Sequence, residues 1–466
     1  MPRDGIGSAG ALGRFRGTLI RPGDPGYEQH RRIVDRRFDA RPALIARCAG
    51  VSDVRAALKM ARDSGLVVAV RSGGHSFPGL STVDGGIVID LSLMNDVQVD
   101  LERQTARIRP GALGGDIILE TVPYGLAPVG GARARVGFGG LAIFNGQGYL
   151  APRYGNAADN IISLEVVLAD GRWVRASPAV NENLFWAMRG AGDNFGIVTL
   201  FEIRLHPVPV IVTVGTFELE PATVVEALAA LEGVDRLLSE DIAWAVKVQR
   251  SPSGASSVSI GYEHLGGEAA IARDLDLLQR AAPSARQDRQ TISYVDLHYR
   301  SGFTGNRTYV AGAQLRSLDL ATARQIRTIA ERFFADVPTP PGAERSIDFY
   351  PISKGLARVP TPPNAWSIRS GYGLTARVSY DEADQEAGHA AWADGAIDHL
   401  VAAGVTSGGH NVTALNHVSR WTPECVREAY GESYRRLAAL KAKYDPDNLF
   451  RRSTNIERLD GERGEL

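Results

Sequence analysis

Glycine is concentrated in one part of this chain, and this concentration limits the possible folds more than any other feature of the sequence. The chain has 51 glycines among 466 residues, and they cluster between residues 73 and 196, most densely from Gly130 to Gly148. Because glycine has no Cβ, it allows a backbone to approach a ligand closely. An ordinary apolar core does not need so many glycines. The cluster therefore predicts a region that is built around a bound ligand.

Charge and cysteine content exclude several classes of protein. The 52 Lys and Arg residues nearly balance the 53 Asp and Glu residues, so the chain lacks the basic surface of a nucleic-acid-binding protein. Two cysteines, Cys48 and Cys425, show no CxxC spacing, which argues against a zinc site and a disulfide framework. The sequence shows neither a signal peptide nor a run of about 18 apolar residues. We therefore expect a cytoplasmic protein without nucleic-acid or membrane partners.

The pattern of apolar residues divides the chain near residue 208. Before this point, a helix with Ser52 as its N-cap leads into a strand and a glycine turn, and Asp170-Gly171 joins two alternating strands as a hairpin. Beyond it glycine becomes rarer and strands alternate with helices. These helices are placed near residues 220–238, 268–281 and 320–335. The final helix is predicted to begin with Thr422 as cap and Pro423 as first helical residue.

Several familiar motifs are absent or stand in the wrong context. The string RGAGDNFG at 189–196 follows a helix and leads into a strand, which is the reverse of a Rossmann dinucleotide site. Residues 74–79 resemble a nucleophile elbow, but the spacing is wrong and no helix follows. The histidines show no HxH or HExxH pairing, so no metal site is expected. Hydrolase activity is therefore only a remote alternative.

Four strings together resemble one known family. They are residues 70–95, 135–171, 182–205 and 444–456. In this order they resemble the vanillyl-alcohol-oxidase-like FAD-linked oxidases, which include berberine bridge enzyme and bacterial hydroxynicotine oxidase. The likeness to the latter is strongest at VGFGGLA and GVTSGG. The resemblance implies an α+β fold with a two-subdomain FAD-binding module of the PCMH type and an antiparallel-sheet substrate domain. The module would comprise residues 1–208 and 419–466, and the substrate domain residues 209–418.

The resemblance also implies how FAD is held. In the family, the histidine that follows two glycines is bonded to the 8α carbon of the flavin, which here is His75. Backbone N–H groups of the surrounding turn would contact the pyrophosphate. For Asp159, Asn160 and Asn455 a purely structural role in turns and caps is an open alternative. The other predicted FAD-binding residues are Arg71, Ser72, Gly73, Gly74, Ser76, Gly137, Gly140, Gly196, Ile197 and Val198.

Three departures from the family pattern affect the expected flavin site. Arg133 stands where members with doubly attached flavin have a cysteine, so the resemblance implies a single covalent link. Phe144 and Asn145 replace glycines, and their side chains could narrow the pocket or alter oxygen access. Leu141 replaces a histidine that many relatives carry. For Arg133 and Arg135, solvated loop positions are the favoured interpretation.

The catalytic residues are less clearly indicated. The family's Tyr-x-Asn motif corresponds to residues 414–416, so Asn416 is retained and the tyrosine is lost, with His410 and His417 nearby. Asp348 and Tyr350 share one face of a predicted strand and could accept a proton, although an exposed sheet face is an equal alternative. Trp366 and Arg369 are interpreted as structural.

These observations lead to one functional prediction and two rivals. We expect an oxidase in which a C–H bond next to N or O of a small molecule gives hydride to covalent FAD, with O2 as acceptor and without metal or nicotinamide. An amine could react without a protein base. A homodimer is compatible with the sequence. The rivals are a covalent-flavin oxygenase, dehydrogenase or cyclase of natural-product biosynthesis, and a catalytically inert flavin-binding protein.

Overall fold

The first layer of the fold is a small mixed sheet. The structure is a computed structural model that describes residues 15–220, 222–250, 256–300, 307–335, 343–352, 354–357, 364–408 and 415–457. Its first elements are β1 (Thr18–Ile20), α1 (Tyr27–Arg31), β2 (Leu44–Arg47), α2 (Val51–Ser64), β3 (Val68–Arg71) and β4 (Ile87–Asp90). The strand order is β1-β2-β4-β3, with β2 and β3 parallel to β4. The apolar stripe of α2 is buried against this sheet.

The start of α2 differs from the sequence prediction. Ser52 is not its N-cap, because the helix begins at Val51 and Gly50 is the N-cap. The carboxylate of Asp53 explains this start. It accepts hydrogen bonds from the backbone N–H groups of Arg16, Gly17 and Ala49 at 3.0, 3.0 and 2.9 Å. These bonds fix the chain segment that enters the helix, so a serine cap is not needed.

A second, antiparallel sheet carries the glycine-rich segments. Its elements are β5 (Val97–Asp100), β6 (Thr105–Ile108), α3 (Gly114–Thr121), β7 (Leu126–Pro128), α4 (Phe138–Ile143), α5 (Ala151–Tyr154), β8 (Ile161–Val167), β9 (Trp173–Ala176), α6 (Glu182–Ala191) and β10 (Ile197–Pro207). The order is β5-β6-β10-β8-β9, and β7 pairs with β10. The hairpin predicted at Asp170-Gly171 is present as β8 and β9. The long strand β10 also appears where the sequence predicted it.

A seven-stranded antiparallel sheet forms the middle of the chain. Its elements are β11 (Ile211–Leu219), α7 (Val224–Leu237), β12 (Ile242–Arg250), β13 (Ser256–His264), α8 (Glu268–Ala281), β14 (Arg286–Ser293), α9 (Tyr294–Tyr299), β15 (Arg307–Leu315), α10 (Leu320–Ala335), β16 (Glu344–Pro351), β17 (Tyr372–Tyr380) and α11 (Glu386–Ala402). The order is β14-β11-β13-β12-β16-β17-β15. Alternate residues pack on the helices, as Ile347 and Phe349 do. Val212 and Val214, on the other face, pack against the first part of the chain.

The C-terminal segment returns to the first two sheets. Helix α12 (Pro423–Tyr430) begins as predicted, with Thr422 Oγ1 accepting a hydrogen bond from Cys425 N. The prediction that this is the final helix is wrong. Gly431, with a φ of 48°, ends α12, and α13 (Ser433–Tyr444) follows. Phe450 is then buried in the core of the first sheet. Within the described ranges, no helix is both long and apolar enough to cross a membrane.

Candidate active site

A cavity of about 320 Å³ is enclosed by the glycine-rich turns of the two N-terminal sheets and by the C-terminal segment. Of the predicted FAD-binding residues, ten line it: Ser72, Gly73, Gly74, His75, Ser76, Gly137, Gly140, Gly196, Ile197 and Val198. They come from three places in the chain, namely the turn after β3, the start of α4 and the start of β10. The glycine cluster of the sequence is therefore assembled around one space.

The turn after β3 and the start of α4 require glycine because their backbones touch. A Cβ on Gly73 would lie 2.4 Å from the N atom of Gly137, and a Cβ on Gly137 would lie 2.2 Å from the N atom of Gly73. Gly74 has a φ of 71°, which an L side chain rarely adopts. The side chain of Ser72 does not face a ligand freely, because its Oγ donates a hydrogen bond to the carbonyl of Pro110 at 2.6 Å. This wall offers backbone groups rather than side chains.

Gly140 has a different role in the same wall. A Cβ built on Gly140 would meet no atom within 4 Å, although the residue lines the cavity. Neighbouring Gly139 is instead tightly packed, since its Cβ would lie 2.5 Å from the carbonyl oxygen of Pro110. The space beside Gly140 therefore belongs to the cavity. A wall of this kind fits a flat ring system that lies close to the backbone.

His75 stands at the turn with its side chain partly buried. Burial lowers the pKa of its imidazole, and the charge of Arg135 acts in the same direction, while a hydrogen bond with the Arg135 backbone opposes them. The neutral ring therefore keeps a nitrogen lone pair available near neutral pH. A covalent bond between histidine and a carbon of the flavin requires such a lone pair, so the chemistry of His75 fits the attachment that the resemblance implies.

Arg71 does not line the cavity, contrary to the sequence prediction. Its side chain is buried, and its Nη2 lies 2.7 Å from Asp90 Oδ2. A second nitrogen of the guanidinium donates to the carbonyl of Arg32. The two residues of the ion pair end the parallel neighbours β3 and β4. Arg71 therefore ties the sheet together beneath the turn that carries His75.

Asp159 and Asn160 also lie outside the cavity wall, where the structural alternative applies. Asp159 accepts hydrogen bonds from Asn156 N at 3.0 Å and from Asn364 Nδ2 at 2.8 Å. Asn160 donates to two backbone carbonyls and lies 2.7 Å from His206 Nε2. Asn455 lines a separate cavity near the end of α13. The side chains of Asp159 and Asn160 therefore stabilise the turns from which the wall is built.

The predicted catalytic residues are not brought together in the cavity. Asp348 and Tyr350 do share the sheet face opposite the helices. However, Asp348 accepts a hydrogen bond from Ser346 Oγ at 2.9 Å and lies 3.7 Å from Arg377 Nη2. Tyr350 lines a neighbouring cavity of about 50 Å³. Neither residue lines the cavity that contains His75, and their role as proton acceptors stays a prediction.

Asn416 lies in a short 3₁₀ turn, Leu415–His417. Its side chain is outside the described residues, as are Ala414 and His410. The residue of this turn that lines the cavity is His417. Burial lowers the pKa of its imidazole. Its proximity to Asn416 in the sequence was the only signal that could have indicated it.

Three further residues of the wall carry charge. Arg133 lines the cavity, although the sequence favoured a solvated loop position for it. Asp193 also lines it, and burial raises the pKa of its carboxyl group to about 6, although it accepts a hydrogen bond from Thr454 N at 2.6 Å. Arg452 donates to the carbonyl of Gly79 at 2.8 Å. The sequence contained a signal for the last two, because each lies inside a string that carried the family resemblance.

The departures at residues 144 and 145 have separate consequences. Phe144 is buried and lines the cavity, so its ring replaces space that a glycine would leave. Asn145 has a φ of 87° and is buried, but it is not part of the cavity wall. Leu141 also lines the cavity with an apolar side chain. The replaced positions therefore make this part of the wall apolar.

Comparison with known families and proteins agrees with this geometry. Residues 42–177 match the FAD binding domain family, and residues 411–457 match the berberine and berberine-like family. The (R)-6-hydroxynicotine oxidase of Paenarthrobacter nicotinovorans is 34% identical over 454 residues, which cover 95% of this chain and 97% of that protein. An uncharacterized FAD-linked oxidoreductase of Bacillus subtilis, YvdP, is 28% identical over 94% of this chain and 97% of its own length.

Solved structures share the whole architecture. The crystal structure of 6-hydroxy-D-nicotine oxidase from Arthrobacter nicotinovorans superimposes with a TM-score of 0.86 at 33% identity and covers 95% of this chain and 98% of that one. Xylooligosaccharide oxidase from Myceliophthora thermophila C1 has the same fold, with a TM-score of 0.83 at 23% identity over 97% and 99% of the two chains. The predicted α+β fold, with its PCMH-type module and antiparallel-sheet substrate domain, is confirmed. The chain therefore belongs to the berberine-bridge-enzyme-like family of FAD-linked oxidases and is an FAD-dependent oxidoreductase.

Proposed function

We propose that this protein is an oxidase that carries one FAD bonded to His75 and oxidises a small molecule at a C–H bond next to nitrogen or oxygen, with O2 as acceptor. The observation that carries the proposal is the cavity itself, in which a neutral, partly buried His75 stands in a turn whose backbone is exposed to a ligand. When bound, FAD would accept hydride from the substrate and pass the electrons to O2.

The chain's own residues would hold the cofactor in three ways. The turn at Ser72–Ser76 and the start of β10 would supply backbone N–H groups, which are suited to a pyrophosphate. Arg133 and Arg452 would add positive charge. The open space beside Gly140 would admit the flat ring. Because no cysteine is available where Arg133 stands, His75 would form the single covalent link.

We place the substrate at the end of the cavity where Gln147 lies. Gln147 lines the cavity, and its Nε2 donates to the carbonyl of Pro351 at 3.2 Å, so this point joins the first part of the chain to the substrate sheet. We divide the chain accordingly into residues 1–208 and 419–466 for FAD and residues 209–418 for the substrate. Two similar proteins oxidise 6-hydroxynicotine and xylooligosaccharides by name. Amines and sugars are therefore the first substrate classes to test.

The covalent link is tested by the visible spectrum before and after acid precipitation. Wild-type protein is expected to keep its yellow colour in the pellet and to exceed the polypeptide mass by one FAD. His75→Ala should lose the colour to the supernatant, because no other nucleophile in the turn can replace the imidazole. His399→Ala, on α11 away from the cavity, is the control and should behave as wild type. Wild-type protein with the bare polypeptide mass after growth with riboflavin would contradict the proposal.

Oxidase activity is tested by peroxide release from 6-hydroxynicotine and xylobiose. A dehydrogenase is the second candidate, because Phe144 fills part of the cavity and could restrict oxygen. In that case an artificial electron acceptor would be reduced quickly while little peroxide forms. Replacing the ring with glycine should then raise the rate with O2. If neither acceptor is reduced with any amine, alcohol or sugar, the catalytically inert alternative is favoured.

A further inference from the structure

The titratable groups that line the cavity differ in what they are able to do. Among the described residues, these groups are His75, Arg133, Asp193, His417 and Arg452. The imidazole of His75 is bonded to the flavin in the proposed function, so it is not considered as a base. Arg133 and Arg452 are cations and cannot accept a proton at neutral pH.

The carboxylate of Asp193 is already hydrogen-bonded to the C-terminal segment. Its carboxylate accepts hydrogen bonds from Thr454 N at 2.6 Å and from Asn194 Nδ2 at 2.9 Å. These bonds anchor the chain on which Arg452 lies. The group that remains available as a base toward a ligand is His417.

The backbone around His417 is firmly held. Leu415 and Val418 are 0% and 3% exposed and belong to the core beneath the second sheet. Ser419 forms two hydrogen bonds to Val310 of β15, with N donating to the carbonyl at 2.8 Å and Oγ accepting from the amide at 2.9 Å. With both flanks fixed, the imidazole of His417 is held in the cavity wall at the junction between the substrate sheet and the FAD module.

The surroundings of His417 keep its ring neutral. Burial alone lowers its pKa below the ordinary value of 6.5. The charged groups that line the same cavity are Arg133, Asp193 and Arg452. The one carboxylate among them is engaged with Thr454. A neutral imidazole whose flanking residues are fixed in the core is well suited to receive a proton.

We propose that His417 accepts the proton that leaves a hydroxyl or amine N–H of the substrate during its oxidation. The proposal rests on the proposed function. In this step the substrate's O–H or N–H bond breaks, its proton moves to an imidazole nitrogen, and the C=O or C=N bond forms. The hydrogen on the neighbouring carbon would leave with its electron pair for bound FAD, and O2 would take up these electrons to give peroxide.

This inference changes the expected substrate class. A neutral amine can donate hydride without a protein base, and it then has no use for His417. A hydroxyl group, or an amine that binds with its proton, does need a base. The structure therefore favours substrates that carry an acidic O–H or N–H next to the carbon that is oxidised.

The kinetic test compares His417→Gln with wild type, using (R)-6-hydroxynicotine and xylobiose as probes. The substitution is expected to lower kcat/KM for xylobiose by about 100- to 10,000-fold with unchanged flavin content, and to lower it less for (R)-6-hydroxynicotine, because a neutral amine needs no protein base. It should also remove the fall in kcat/KM that protonation of His417 causes in wild type at acidic pH. His399→Gln is the matched control and should leave both unchanged. Peroxide release by wild type with an unaltered rate and pH profile in His417→Gln would overturn the proton transfer alone.

A second readout does not depend on turnover. In protein with isotope-labelled histidine, the NMR signal absent from His417→Gln identifies this ring, and its midpoint should lie below 6.5. In the His75→Ala background, addition of FAD to the apoprotein should shift the signal, since the ring lines the cavity. A signal that FAD does not affect would overturn the placement of His417. Absence of turnover by wild type with both probes would instead overturn the proposed function and the proton transfer with it.

Discussion

Gly137→Ala adds a methyl group where two backbone segments of the cavity wall touch. The φ and ψ of Gly137 are −68° and 128°, which alanine adopts without strain, so the effect is purely steric. The new Cβ would lie 2.2 Å from Gly73 N and 2.4 Å from Ser72 Oγ. Ordinary contact begins at 3.4 Å. The two segments must therefore separate by about 1 Å, a shift comparable to those that overpack a core.

The expected cost follows from this separation. Forcing a methylene-sized group into a closely packed site costs about 1–3 kcal/mol. Gly73 N is a backbone atom, and Ser72 Oγ is held by its hydrogen bond to the carbonyl of Pro110. The moved segment carries His75, two residues after Gly73. Misplacement of a reacting group by about 1 Å slows a reaction by about 100-fold. We therefore expect Gly137→Ala to lower both the stability of the apoprotein and the rate at which FAD becomes attached.

Gly140→Ala is the matched control because it separates these two effects. The Cβ would meet no atom within 4 Å, and the residue lies inside α4. Replacing glycine by alanine within a helix stabilises it by up to about 1 kcal/mol. The added methyl, however, enters the space that we assign to FAD. The apoprotein should therefore become slightly more stable while flavin content falls.

The assay measures stability and flavin content separately. Urea unfolding is compared in the His75→Ala background without flavin, and flavin content is measured as the ratio of flavin to protein absorbance in otherwise wild-type protein. The reasoning is refuted if Gly137→Ala unfolds at the wild-type urea concentration and carries a full complement of FAD. Full FAD content in Gly140→Ala would contradict only the position of the ring beside that residue.

Two other predictions concern buried charge. Arg71→Met should destabilise the protein by up to about 3–5 kcal/mol, because buried Asp90 loses its close ion pair and keeps only Arg47, at 3.7 Å, as a charged partner. Urea unfolding of this variant checks the prediction, and a variant that also carries Asp90→Asn should recover much of the loss. Burial raises the pKa of Glu263 to about 7, although the charges of Arg300 and Arg133 oppose this shift. The free energy of unfolding should therefore fall by up to about 3 kcal/mol as pH rises from 4.5 through 7. Urea unfolding measured across this pH range should show a smaller fall in Glu263→Gln.

The sequence predicted those parts of the site that depend on the backbone. Gly73, Gly137 and Gly196 line the cavity because glycine alone fits where strands and turns meet closely, and this requirement is visible as local composition. His75 was predicted from the family resemblance of residues 70–95, which is also a local string. The hairpin and the helices of the substrate domain followed from apolar periodicity. In each case the information lies within about twenty residues of chain.

The sequence failed where the direction of a side chain is set by a distant partner. Arg71 points to Asp90 in the neighbouring strand, and Asp159 points to Asn364, which lies 205 residues further along the chain. Asp348 is held by Ser346 and by Arg377 of the next strand. Polar residues in a cofactor-binding string are as well explained by these contacts as by a ligand. The alternation of a strand indicates a shared face but not what that face meets.

The C-terminal segment shows why the site cannot be understood from the N-terminal motifs alone. Lys441 donates from its buried Nζ to the carbonyl of Asn194 at 3.0 Å, and Thr454 N donates to Asp193. These bonds join α13 and the segment that follows it to the loop just before β10, which lines the cavity. A ligand that binds only when the C-terminal segment is docked stabilises the docked form of the protein. By thermodynamic linkage, docking of the segment strengthens binding of the ligand by the same free energy. Retention of FAD and attachment of the C-terminal segment must therefore rise and fall together, although more than 240 residues separate the two strings that meet.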